Sequence, residues 1–189
     1  MAIKLKHSDC YNMYFITFTC YNWMHLFEIT NAYDIVYKWF SYLRTNKIAE
    51  TISYVIMPNH LHCILYFENE TFDLNKIVGN GKRFLAYEII KRLKTKNESN
   101  ILYKLTTNVT EKEKKKGQLH KVFKTSFDAK PIFTEKFLRQ KLAYIDYNPI
   151  SGNWQLVADY VDYLHSSASY YEIGLTRFFE PLHFESLNE

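Results

Sequence analysis

The chain has 189 residues, of which 47% are hydrophobic, and it carries five glycines, four prolines and a net charge of +4. This length and composition favour one compact domain over residues 1–189, with a core of about 12–150 and a tail of about 151–189. No apolar run is long enough to cross a bilayer and no secretory signal is recognisable, so we expect a cytoplasmic protein that binds no membrane. The three cysteines have no CxxC spacing, so we expect no disulfide framework.

The first half of the chain alternates strand-like and helix-like patterns. Residues 13–20 are rich in alternating aromatic and β-branched side chains, which predicts a strand, and residues 30–47 carry apolar side chains at helical spacing. Residues 49–57 and 60–67 are two further strand-like runs, separated by the turn signal Pro58-Asn59. We therefore expect a strand, a helix and then an antiparallel hairpin.

The second half contains two helical patterns and one extended region. Residues 72–95 have apolar side chains in helical phase, although Gly79-Asn80-Gly81 is expected to weaken, break or kink a helix there. The lysine-rich residues 96–118 indicate a mobile loop, residues 120–133 indicate an irregular strand or two short extended pieces, and the tail indicates short helical or looped segments. Residues 134–149 begin with a capping signature and end at a proline, which predicts the last long helix.

The order of these elements is strand, helix, strand, strand, helix, strand and helix. It predicts an α+β fold with a ferredoxin-like or RRM-like antiparallel sheet and helices packed on one face. The other face of such a sheet is expected to be free for a ligand.

Two histidines lie one residue apart in the apolar run YVIMPNHLHCILYF, residues 54–67. Because residues i and i+2 of a strand point to the same side, His60 and His62 project together and could bind one metal ion. An isolated pair of this kind also occurs where one histidine lies in a turn and the other bonds to a backbone carbonyl. The pair alone leaves both interpretations open.

The last predicted helix carries Tyr144 and Asn148 four residues apart, and therefore on one helical face. A phenol can act as a nucleophile toward phosphorus, and an amide oxygen can bind Mg²⁺ or Mn²⁺. Helix tyrosines are usually packing residues, and a tyrosine taken without its spacing to Asn148 does not distinguish Tyr144 from Tyr147 or Tyr170.

Basic and aromatic side chains are abundant in a way that suits a nucleic acid. Lysine and arginine concentrate between residues 82 and 124, and aromatic residues make up 17% of the chain. Single-stranded nucleic acid sites combine aromatic side chains that stack on bases with cations that neutralise phosphates. A solvated lysine-rich loop and half-buried tyrosines explain the same composition without a partner. Our candidates for contacts to a DNA backbone are Lys82, Arg83, Lys91 and Arg92.

The motif VIMPNHLHCIL, followed far along the chain by LAYIDYNPISGNW, resembles the single-tyrosine His-hydrophobic-His (HUH) transposases. The resemblance is greatest to the REP-associated tyrosine transposases (RAYT), with a His-x-His after a MPNH-like turn and a YIxxNPV-like helix end. The segments VFKTSFDAKPIF and YFITFTCYN are also similar to parts of that family, so the resemblance covers roughly residues 12–170.

The resemblance implies a function for each matching position. His60 and His62 match the two metal-binding histidines, and Asn148 falls where relatives complete the metal site. Tyr144 matches the nucleophile that attacks a DNA phosphodiester, becomes joined to the 5′-phosphate and leaves a free 3′-OH. The family also implies a ferredoxin-like fold, Mg²⁺ or Mn²⁺, a homodimer, and single-stranded DNA, often with an adjacent hairpin.

Other interpretations remain open. The motif DYNPI adds Tyr147 as a second candidate nucleophile, although we prefer Tyr144 for its spacing to Asn148. The chain could be a domesticated protein that binds single-stranded or hairpin DNA without mobile-element activity, or a metal-dependent hydrolase that uses only the histidine pair. Because only neutral imidazoles bind a metal, we expect the activity to fall below about pH 6.

Overall fold

A computed structural model describes residues 11–69 and 71–188 of the chain. Its strands are β1 (Met13–Thr19), β2 (Glu50–Met57), β3 (His60–Tyr66) and β4 (Asp128–Pro131). They form one antiparallel sheet in the order β2-β3-β1-β4. The predicted α+β class with a ferredoxin-like sheet is confirmed.

The α-helices of the described part flank this sheet. They are α1 (Leu26–Thr30), α2 (Tyr33–Thr45), α3 (Leu74–Thr95), α4 (Ser99–Thr107), α5 (Glu111–Lys114), α6 (Glu135–Tyr147) and α7 (Ala168–Ile173). Within the described ranges, no helix has the length and apolar character that a membrane span requires. The three predicted long helices correspond to α2, α3 and α6.

The two faces of the sheet belong to separate apolar cores. Phe18 and Leu61 point into the core shared with α2 and α3, as expected for helices packed on one face. Phe15 points into the second core, where it packs with Leu138 and Leu142 of α6. The expectation that the second face is free is therefore wrong in part, because the apolar stripe of α6 is buried against it.

Helix α3 runs without a break through Gly79-Asn80-Gly81, contrary to the predicted break or kink. A Cβ atom on Gly81 would lie 2.4 Å from Cε2 of Trp39 on α2, whereas a Cβ on Gly79 would meet nothing within 4 Å. Gly81 therefore allows the indole of Trp39 to pack directly against the α3 backbone. The glycine that weakens the helical pattern is explained by helix packing.

The lysine-rich region predicted as a mobile loop instead contains α4 and α5. Leu105 of α4 is fully buried in the core shared with α2 and α3. Helix α5 begins with a capping box between Thr110 and Glu113, and Glu113 also pairs with Lys121 at 3.0 Å. The Thr-x-x-Glu pattern was present in the sequence as a helix-start signal, but the surrounding lysines favoured a loop interpretation.

The extended region and the tail match their predictions. Phe123 forms an isolated bridge with Cys20, and β4 follows as a second short extended piece. The tail contains the short helix α7 and several single 3₁₀ turns. Cys20 and Cys63 are buried free thiols, and Cys10 lies outside the described residues.

Candidate active site

The two histidines lie side by side on the α6 face of the sheet. In β3 they alternate with Leu61 and Cys63, which point into the opposite core. Their ring centroids are 4.7 Å apart, and the side chains of His60 and His62 are only 6% and 5% exposed. The predicted same-face placement is therefore present in the folded chain.

Hydrogen bonds orient both imidazoles. The Nδ1 atom of His60 lies 2.6 Å from Oδ1 of Asn59, and because an amide oxygen can only accept, Nδ1 carries the proton and Nε2 carries the lone pair. The Nδ1 atom of His62 lies 2.6 Å from Oγ1 of Thr17, the residue opposite it on β1. Partners of this kind on one ring nitrogen are typical of histidines whose other nitrogen binds a metal.

Burial keeps both imidazoles neutral near pH 7. It lowers the pKa of His60 to about 4, and a hydrogen bond that the protonated ring can donate to the side chain of Asn148 opposes this shift. The pKa of His62 is held well below its ordinary value by burial first, and then by His60 and Lys141. Neutral rings are the form in which histidine binds a metal ion.

Asn148 provides a third donor beside the histidines. It is the residue directly after α6 and is 8% exposed. Its Oδ1 atom is buried and has no hydrogen-bond partner within the described residues, although a buried amide oxygen normally has one. With His60 protonated on Nδ1, that ring has no proton to offer the amide, so the oxygen is available to a cation.

These donors fit a divalent metal ion. The imidazoles of His60 and His62 and the amide oxygen of Asn148 would hold such an ion, which would supply a Lewis acid beside Tyr144. Within the residues that the structure describes, no group of three or more His, Cys, Asp or Glu side chains could hold a metal. A site here would therefore depend on the amide of Asn148 in addition to the two histidines.

Tyr144 lies at the edge of this group. Its ring centroid is 5.1 Å from that of His62 and 5.8 Å from that of Phe15, and 48% of the residue is exposed. Tyr147 is equally exposed, but its ring packs against Tyr160 at 4.4 Å. Of these two candidate nucleophiles, Tyr144 is the one whose ring lies against a histidine of the pair.

Lys141 is a residue of the site that the sequence analysis missed. Its Nζ atom lies 4.9 Å from the ring centroid of Phe15 and 5.4 Å from that of Tyr144. Burial is the first cause that lowers its pKa, the charge of Lys130 is the second, and Asp128 opposes them. Lys141 lies three residues before Tyr144, so the helical spacing could have identified it, but a single helix lysine carries no other signal.

Two tryptophans flank the opposite end of the histidine pair. The ring centroid of Trp23 is 6.1 Å from that of His60, and the centroid of Trp154 is 6.3 Å from it. Neither was predicted, because each lies in an irregular segment far from His60 in the chain.

The four basic residues proposed for DNA contacts lie on α3, in the layer across the sheet from the histidines. The ammonium group of Lys82 donates to the backbone carbonyls of residues 124–126. Arg92 donates to Asp34 and to the carbonyls of Thr30 and Asn31. Lys82 and Arg92 are thus bonded to groups outside α3. Arg83, which donates to Asn80 on the same helix, and Lys91 are exposed. The structure does not bring these four residues to the histidine pair.

Comparison with known proteins supports the fold. A solved structure of the REP-associated tyrosine transposase bound to a REP hairpin superposes on this chain with a TM-score of 0.62. The match covers 96% of this chain and 92% of the other at 17% sequence identity. No family model and no curated protein matches the sequence. The resemblance drawn from the sequence motifs is thereby confirmed at the level of the fold.

Proposed function

We propose that this protein is a transposase-like nuclease and strand transferase that cleaves single-stranded DNA through a covalent 5′-phosphotyrosine intermediate. The observation that carries the proposal is the convergence of Tyr144, His60, His62 and the unpaired amide oxygen of Asn148 at one place on the sheet. The shared fold with a tyrosine transposase that binds a REP hairpin supports it. The expected substrate is accordingly a single strand beside a hairpin.

The first step is an exchange of one ester for another. The phenol oxygen of Tyr144 attacks the scissile phosphorus, a bond from tyrosine oxygen to phosphorus forms, and the bond to the 3′-oxygen breaks. The phenol loses its proton and the leaving 3′-oxygen gains one, so the products are a 5′-phosphotyrosine and a free 3′-OH. The reverse attack by another 3′-OH rejoins DNA without ATP, because the phosphotyrosine conserves the ester.

The surrounding side chains suit this chemistry. Attack builds negative charge on the phosphate oxygens, and the Lys141 ammonium beside Tyr144 is placed to balance it. A Mg²⁺ or Mn²⁺ ion bound by His60, His62 and Asn148 would supply a Lewis acid for the phosphate and the leaving oxygen. Thr17 and Asn59 orient the imidazoles toward that role.

Formation of a covalent adduct tests the proposal. Labelled single strands with candidate hairpins are incubated with the protein and Mg²⁺ or Mn²⁺, and the products are separated on a denaturing gel. We expect an adduct with the wild type and with Tyr147→Phe, and none with Tyr144→Phe. An adduct that persists in Tyr144→Phe would refute the assignment of the nucleophile.

Two other results would replace the proposed activity. Cleavage to free ends without any adduct would identify a hydrolase that uses the histidine pair. Binding without cleavage across all hairpins would identify a domesticated DNA-binding protein. The homodimer and the cytoplasmic location remain predictions of the sequence analysis.

A further inference from the structure

Trp23 presents an exposed indole beside the proposed metal site. The residue is 55% exposed, although its ring centroid lies only 6.1 Å from that of the buried His60. Large aromatic side chains normally gain stability by burial, so one held at the rim of a polar site calls for an explanation.

The backbone under this indole adopts conformations that L residues rarely take. Asn22 has a φ of 52° and Trp23 a φ of 57°, both in the left-handed region. For a bulky residue such as tryptophan this is uncommon, and it persists only where surrounding contacts enforce it. Residues held in this way cluster at functional sites.

Asn59 makes the hydrogen bonds that hold the backbone around Asn22 and Trp23 in this conformation. Its Nδ2 atom donates to the carbonyl of Trp23 at 3.1 Å, and its own carbonyl accepts from the N–H of Cys20 at 2.8 Å. The Oδ1 atom of the same amide accepts from His60. One side chain therefore bonds both to the backbone of Trp23 and to the imidazole of His60.

The neighbours of Trp23 give this corner both aromatic and cationic character. The Nζ atom of Lys124 lies 4.2 Å from the indole centroid, and the carbonyl of Lys124 accepts from the ammonium group of Lys82. Trp154 lies between His60 and His25, at 6.3 and 5.5 Å from their ring centroids. An exposed indole next to a lysine is a combination with which proteins stack the bases of a single strand and contact its phosphates.

The positions of Tyr144 and Trp23 define which base of a bound strand would stack on the indole. Tyr144 lies against His62, whereas Trp23 lies against His60. In an in-line displacement, the attacking and leaving oxygens are on opposite sides of the phosphorus. An attack from the His62 side therefore directs the leaving 3′-oxygen toward His60 and Trp23. That oxygen belongs to the nucleotide immediately 5′ of the scissile phosphate.

We propose that Trp23 stacks on the base immediately 5′ of the scissile phosphate and so holds the leaving nucleotide in place. The proposal rests on the proposed function, since the direction of the strand across the site is inferred from attack by Tyr144. Stacking is tolerant of base identity, so the site fixes the position of the strand more than its sequence.

Fluorescence of 2-aminopurine tests this assignment. The wild type is first used to map the cleaved bond, and the probe is then placed immediately 5′ or 3′ of it. Binding is measured in a Tyr144→Phe background, which leaves the strand intact. We expect the 5′ probe to be quenched on binding and Trp23→Ala to remove that quenching and weaken binding roughly 5- to 100-fold.

Two variants control for folding and for general loss of aromatic surface. Trp23→Phe keeps a stacking ring and is expected to retain most of the quenching. Tyr87→Ala removes a residue that is 70% exposed on α3, across the sheet, and is expected to change neither signal. Unchanged quenching in Trp23→Ala, or Trp23-dependent quenching of the 3′ probe instead, would overturn the proposal.

Failure of the proposed function is distinguishable from failure of this inference. If the wild type binds DNA but forms no adduct, the proposed function fails, and the probe is moved along the single strand in the wild type. A position whose quenching depends on Trp23 would then still support the stacking site, and the lack of any such position would overturn it. If adducts form normally while Trp23→Ala leaves binding and quenching unchanged, this inference alone fails.

Discussion

Asn59 is the residue on which the local geometry depends most. Its amide accepts from Nδ1 of His60 and donates to the carbonyl of Trp23, and it is 4% exposed. In the sequence it belongs to the turn signal before β3, and nothing in that pattern indicated contacts in two directions. The side-chain partners of a turn asparagine depend on the loop that packs against it, which is distant in the sequence.

The buried histidines make stability depend on pH. The pKa of His60 is lowered to about 4 in the folded chain, against an ordinary value of 6.5, so the unfolded chain takes up the proton first. The contribution of the neutral His60 to the free energy of unfolding is therefore fully present above pH 6.5, and it is lost as the pH falls toward 4. His62 acts in the same direction. Neutral imidazoles should persist below pH 6, so the activity threshold expected from an ordinary histidine moves to lower pH.

Unfolding by urea at pH 7 and pH 5, without added metal, measures this effect. We expect the protonation of His60 alone to lower the free energy of unfolding by about 2 kcal/mol from pH 7 to pH 5. His60→Gln should show a correspondingly smaller loss than the wild type. Equal losses in the two proteins would contradict the burial of a neutral imidazole at this position.

At the scale of elements, the close contact of α2 and α3 gives a paired prediction. Gly81→Ala places a methyl group against the indole of Trp39 and should lower the free energy of unfolding by about 1–3 kcal/mol. Gly79→Ala lies in the same helix with nothing within 4 Å and should raise it by about 0.5–1 kcal/mol. Chemical denaturation of both variants measures the difference. Stabilisation by both substitutions would show that Trp39 moves aside freely.

Helix α6 illustrates what spacing can and cannot establish. The relation of Tyr144 to Asn148 was readable from the sequence, because residues four apart share a helical face. Lys141 lies on the same side of the helix but gave no separate signal. The burial of Leu138 and Leu142 against the sheet orients this side toward His62, and no helical pattern could reveal which sheet face α6 would cover.

At the scale of the whole molecule, local sequence signals predicted the secondary structure and the sheet, whereas contacts between residues far apart in the sequence were not predicted. Alternation and turn residues gave the strands and the hairpin, and the element order gave the ferredoxin-like sheet. Trp23 and Trp154 reach His60 only through tertiary packing. The basic residues of α3 were selected for DNA contact because their charge is readable from the sequence. Their position across the sheet from the histidines is set by the fold and is not.

Mass spectrometry of the covalent adduct identifies which tyrosine forms the bond to DNA. After nuclease digestion, trypsin should release residues 142–177 with a nucleotide attached, and fragmentation within this peptide distinguishes Tyr144 from Tyr147. We predict that the nucleotide is attached to Tyr144 through its 5′-phosphate. Attachment to Tyr147 or to any other residue would refute Tyr144 as the nucleophile.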